Sequence, residues 1–231
     1  MSLAPTCANR AAPHGEARDL HAAATALFAS VLFDSAVEHY RGSFENPAML
    51  APLASSALGL AAGAQAALGK GPPSRRRSGA FVLALAVGAG GLGFHLYNVL
   101  KRPGGLDWPN LFYAAPLGAP AALALAGVIG SAADRVADCE HRGAAPRIAG
   151  LPAGRALCVL TALGLAGTVG EVALLHYRGS FQNPLMWLPV SLPPVAAVLT
   201  AKAAAERSTP RRFHPAWRVV ASVPYAYSHL T

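Results

Sequence analysis

Asp34-Ser-Ala-Val-Glu-His-Tyr-Arg-Gly-Ser-Phe-Glu-Asn-Pro-Ala-Met49 returns 137 residues later as Glu171-Val-Ala-Leu-Leu-His-Tyr-Arg-Gly-Ser-Phe-Gln-Asn-Pro-Leu-Met186. Each copy follows an apolar run and precedes another, so each reads as one helix ending, a tight turn, and a second helix starting. Gly42 and Gly179 suit the left-handed position just past a helix end. Asn46 and Asn183 suit the N-cap of the returning helix, with Pro47 and Pro184 at its first position. Arg41 and Arg178 suit the helix end itself, where a long cation meets the negative end of the dipole and reaches the headgroups. A fainter copy lies between them: His95-Leu-Tyr-Asn-Val-Leu-Lys-Arg102, then Pro103 to Pro109. Aligning Arg102 with Arg41 and Arg178 sets His95 level with Asp34 and Glu171. The chain thus reads as three helix-turn-helix hairpins.

The runs between these turns carry hardly any charge. Of 231 residues 53% are hydrophobic and only 13% charged, against about a quarter charged in soluble domains. A bilayer core of about 30 Å takes roughly 20 apolar residues per helix. Six runs qualify, near Asp19–Tyr40, Pro47–Leu68, Gly79–Leu100, Pro109–Ala132, Ala156–Tyr177 and Pro184–Ala205. The expected fold is an all-α integral membrane protein of six transmembrane helices, repeating at about 19–69, 79–132 and 155–206. A short arm (1–18) precedes it and a tail (207–231) follows. Gly59-x-x-x-Gly63 and the Gly88, Gly90, Gly91, Gly93 cluster allow close helix approach. Pro52, Pro116, Pro120, Pro189, Pro193 and Pro194 are expected to kink the second helix of each hairpin.

The cations set the orientation. Fifteen Lys and Arg fall on the side of the termini, and only Arg41, Lys101, Arg102 and Arg178 on the other. The positive-inside rule then puts both termini in the cytoplasm. In a bacterial inner membrane the repeated turns would face the periplasm. The net charge of +8 is clustered as topology signals are, which argues against nucleic acid as a partner. Met1 to Leu20 has no apolar core of a cleavable signal. Cys7, Cys139 and Cys158 make neither a CxxC pair nor a complete disulfide framework.

Hairpin architecture leaves Asp34, Glu38, His95 and Glu171 unexplained, since a charge in the bilayer core costs about 2.5 kcal/mol or more. Asp34 lies seven residues before Arg41, roughly 10 Å deeper at 1.5 Å per residue. Its counterparts His95 and Glu171 share that depth. If the hairpins surround a pseudo-threefold axis, Asp34, Glu38, His95 and Glu171 converge on it, and carboxylate with imidazole suits iron, manganese or zinc better than copper. Such a metal would support redox chemistry in an oxidoreductase, or water activation. His39 and His176 point about 140° away by helix geometry. They read as further ligands, as hydrogen bonds tying the turn, or as axial ligands of a b-type haem. Rival readings are a proton or small-solute transporter, a structural polar network, and a non-catalytic subunit or anchor of a larger membrane complex. Met49 and Met186 fit core packing. Trp108, Phe112, Tyr113, Tyr177 and Trp187 fit an interfacial aromatic belt. His14, His21, His141, His214 and His229 have no motif and read as solvated. Residues 217–227 of the tail read as a surface segment.

Overall fold

The computed structural model describes residues 15–69 and 74–205. Residues 1–14, 70–73 and 206–231, with His14, His214, His229 and residues 217–227 of the tail, lie outside the described residues. Helices α1 (Glu16–Arg41), α2 (Leu50–Leu68), α3 (Arg75–Leu100), α4 (Trp108–Tyr113), α5 (Gly118–His141), α6 (Ala153–Arg178) and α7 (Leu188–Ala205) make up nearly all of the fold. A short antiparallel ladder, β1 (Arg147–Ile148) with β2 (Leu151–Pro152), joins α5 to α6. Six of the segments are long and apolar enough to cross a membrane, α2 and α7 together with the 3₁₀ turns that open them. The protein is a multi-pass membrane protein. Exposed Val82, Phe94, Leu163 and Val198 give its outer faces the surface that hydrocarbon requires.

The fourth span is displaced from its expected place. Pro109 opens only the short α4, which stops at Tyr113, because Pro116 has no N–H to continue the ladder and biases Ala115 away from helical angles. The spanning helix restarts at Gly118 and runs on to His141, through Asp134 and Arg135. Those charges resemble a loop in a hydropathy scan, yet Asp134 is buried.

The prolines mostly do not kink. Pro52, Pro120 and Pro189 fall in the first turns of α2, α5 and α7, where the missing N–H has no helical partner to lose. Pro116 lies in the α4–α5 break. Only Pro193 and Pro194 are interior, both in α7.

Three helix pairs form, α1 with α2, α3 with α5 and α6 with α7. The first two pairs make a four-helix bundle through α1 against α5 and α2 against α3. The third pair leans on α5 more than on any other helix of that bundle. The arrangement is a bundle with a flanking hairpin, not a ring around a threefold axis, because α5 takes the central place that a ring would leave shared. Small residues set the spacing. A Cβ on Gly88 would lie 2.3 Å from the Ala124 amide nitrogen, and one on Gly127 2.6 Å from that of Leu85. The α3 and α5 backbones therefore touch, as apolar helices in lipid do when dispersion alone holds them. Between α1, α3 and α5 lies a dry cluster of Ala24, Phe28, Val31, Phe81, Ala84, Leu123 and Ala126. Its centre is the Phe28–Phe81 stack, with centroids 6.0 Å apart and planes 8° from parallel.

Candidate functional site

The two repeated turns are built alike. Gly42 (φ −85°) and Gly179 (φ −77°) are not left-handed as expected. That conformation falls one and two residues later, on Ser43 and Phe44 (55° and 48°) and on Ser180 and Phe181 (55° and 48°). The reason is the Schellman pair of hydrogen bonds. Phe44 N–H donates to the His39 carbonyl at 3.1 Å and Ser43 N–H to that of Tyr40 at 2.9 Å. Phe181 and Ser180 repeat this on His176 and Tyr177 at 3.1 and 2.9 Å. Asn46 and Asn183 then cap the return, accepting from the amides of Ala48 and Leu185 at 2.9 and 3.0 Å.

His39 and His176 close these turns. Nδ1 of His39 donates to the Met49 carbonyl at 2.8 Å, and Nδ1 of His176 to the Met186 carbonyl at 2.7 Å. Phe44 and Phe181 lie edge-on to the two rings. A carbonyl only accepts, so Nδ1 carries the proton in each ring. This is the turn-tying role among those read from the sequence. His39→Ala and His176→Ala should each cost about 1 kcal/mol. The geometry is the same at both, so their midpoints in a detergent thermal melt should fall by similar amounts.

His95 does related work in the middle hairpin. Its Nδ1 donates to the Pro116 carbonyl, in the break between α4 and α5. That hairpin turns differently, on Gly104 and Gly105 with positive φ, and Asp107 caps α4 at the Asn110 amide. Asn110 in turn donates to the carbonyls of Pro103 and Gly105.

The other half of the break is satisfied by Glu171. Its Oε1 accepts from the Gly118 amide at 3.1 Å. Irregular backbone at membrane depth survives only where protein or a polar cavity satisfies it. Here α3 supplies the donor for a stranded carbonyl, and α6 the acceptor for a stranded amide. The carboxylate also meets the positive end of the α5 dipole. Asp34 and His95 both lie close enough to act on the charge of Glu171. His95 and Glu171, from α3 and α6, thus meet the chain at the start of α5, with Asp34 of α1 within electrostatic range of Glu171.

Glu38 is not with them. It turns outward to Arg41, with which it pairs at 2.9 Å on an exposed face. Arg178 has Leu175 in place of that acid and stacks over the Tyr113 ring, 4.5 Å from its centroid. The two border a shallow open pocket of about 460 Å³ with Tyr177, Ser180 and Phe181. Arg102 is exposed. Among the described residues no group of three or more His, Cys, Asp or Glu is arranged to hold a metal ion.

A second charged cluster has no counterpart in the sequence reading. It sits where α1 and α3 begin and α5 finishes. Arg77 Nε donates to Asp134 Oδ1 at 2.6 Å, and the Ser78 hydroxyl to Oδ2 at 2.6 Å. His21 Nε2 lies 3.5 Å from Oδ1. His21 is not solvated, for only 3% of it is exposed, and neither ring nitrogen has a hydrogen-bond partner. Its ring is stacked on Phe81, 5.9 Å between centroids. The available signal was spacing: Arg77 begins one long apolar helix and Asp134 ends another, so an antiparallel pairing of the two would bring them level.

The chain matches no family model, no curated protein and no solved structure, so its function is read from its own residues.

Proposed function

We propose that this is a bacterial inner-membrane protein, both termini cytoplasmic, that carries protons across the bilayer. Asp34, His95 and Glu171 are its periplasmic-side proton-binding site. The observation that carries this reading is the Glu171 carboxylate at the α4–α5 break, within electrostatic reach of Asp34 and His95. All three are side-chain types that can carry a proton, and His95 and Glu171 are held at the break by its own backbone groups. Interrupted helices whose freed backbone groups face ionisable side chains are a recurrent feature of secondary transporters.

A second reading has its own support. With Nδ1 of His95 on a backbone carbonyl, Nε2 is left in the orientation typical of metal-bound imidazole. Asp34 and Glu171 are not grouped with His95 to hold an ion as they stand, so iron, manganese or zinc would have to draw them in; such a site would make the protein a metal-dependent membrane oxidoreductase or its accessory subunit.

Purified protein in liposomes, given a potassium diffusion potential and an entrapped pH dye, tests the first reading. Proton uptake should fall tenfold or more in Glu171→Gln and Asp34→Asn. Unchanged uptake in both variants, or none in the wild type, overturns it. A stoichiometric metal lost in the same variants assigns the site to the second reading. A Soret band lost in His39→Ala or His176→Ala assigns those histidines to haem b.

A further inference from the structure

The proton-carrier reading places one site at the start of α5, and a proton that crosses the membrane needs a station near the other face. We infer that His21, paired with Asp134, is that station. This rests on the reading above and adds the second end of the path.

Three features set His21 apart from the other described histidines. It is buried, both ring nitrogens are unpartnered, and a carboxylate oxygen faces Nε2 at 3.5 Å. His39, His95 and His176 have each committed Nδ1 to a carbonyl, whereas His21 has committed neither nitrogen. An unpaired imidazole in a dry site is costly, commonly 1 kcal/mol or more per lost hydrogen bond. A proton added at Nε2 turns that idle edge into a donor aimed at Asp134, and the same proton leaves from the same atom. The charged groups acting on His21 are Asp134 from α5 and Arg77 from α3. Asp134 already balances Arg77, so a proton on His21 gives the cluster a net charge of one, which has to be passed on or returned. The cluster is therefore poised to load and unload.

His21 and Asp34 are thirteen residues apart on α1, roughly 20 Å along its axis. Between their levels lies the Phe28–Phe81 plug, with His21 stacked on its Phe81 face. In this conformation the two stations are separated by apolar packing. Passage of a proton needs those rings to part, and alternating access has the same requirement of a shut path in each end state.

Two measurements test the inference. In the liposome assay, His21→Gln and the shape-conserving Asp134→Asn should each lower proton uptake tenfold or more, as Glu171→Gln does. In liposomes holding ¹⁵N-histidine-labelled wild type, the ring signals that vanish in His21→Gln should change with pH. They should follow the pH of one compartment only. Uptake abolished by Glu171→Gln but unchanged by His21→Gln overturns this inference and leaves the outer site standing. Ring signals that ignore the pH of both compartments overturn it whatever the fluxes show. A wild type that carries no protons overturns both readings together.

Discussion

Asp134→Ala is expected to destabilise the protein by about 3–5 kcal/mol. Arg77 and Asp134 leave 9% and 8% of their side chains exposed and meet at 2.6 Å. Removing the carboxylate strands a guanidinium among apolar helices, takes the acceptor from Ser78, and leaves His21 facing a cavity. Arg77→Ala should cost a similar amount from the opposite side, with an uncompensated anion. The control is the double replacement Arg77→Met with Asp134→Leu. Buried pairs exchanged for apolar residues of similar volume are often neutral or better, since the desolvation of both ions is no longer incurred. Midpoints in a detergent melt should therefore fall sharply in each single variant and recover in the double. A double variant as unstable as the singles would mean that α3 and α5 need the pair for more than charge balance. A stable double variant without proton uptake would separate the stability of the cluster from its use.

The sequence made the hairpins legible because their signals are local. Capping by Asn46 and Asn183 and proline at the first helical position depend on a few consecutive residues, and the fold shows both; the histidine bond across the turn was one of three roles left open for His39 and His176. The left-handed residue was misplaced by one because glycine is the usual occupant, while here Ser43 and Ser180 adopt it, with Phe44 and Phe181 continuing it beside the histidine rings. What could not be read locally was the pairing between elements. Hydropathy ended the fourth helix before Asp134, since a scan of one strand of sequence has no access to the arginine on another helix that neutralises it. His21 looked solvated for the same reason. Charge counting likewise assigned Arg77 to a loop as a topology signal, although it lies in α3 and is spent on Asp134.

The candidate site follows the same division. Depth could be read, because the distance from Arg41 or Arg178 along a helix is fixed by its rise, and that set Asp34 and Glu171 at one expected level. Direction was not. Glu38 shares a helix face with Asp34, yet an arginine three residues on holds it at the surface. The break before α5, which gives Glu171 and His95 their backbone partners, arises from Pro116 and from the length of the middle turn, where the repeat is weakest.

Gly118→Ala should reproduce the loss of function of Glu171→Gln while leaving every ionisable group in place. An ideal Cβ on Gly118 would sit 1.4 Å from Glu171 Oε2 and 2.6 Å from its Cδ. The obstacle is the end of a flexible side chain, so the helix need not shift, but the carboxylate must leave the α5 amide it now accepts from at 3.1 Å. The stranded amide and displaced anion should cost about 1–3 kcal/mol. Propensity alone gives the opposite sign, since alanine for glycine in an unstrained helical position stabilises by about 0.4–1 kcal/mol. Gly167→Ala on α6 supplies that comparison, because nothing lies within 4 Å of its Cβ position. Proton uptake should fall tenfold or more in Gly118→Ala and stay near wild type in Gly167→Ala. Residues acting as a unit are not additive, so Gly118→Ala combined with Glu171→Gln should be no worse than either alone. Full uptake in a folded Gly118→Ala protein would show that the position of Glu171 on the α5 amide is immaterial, and the outer site would lose its basis.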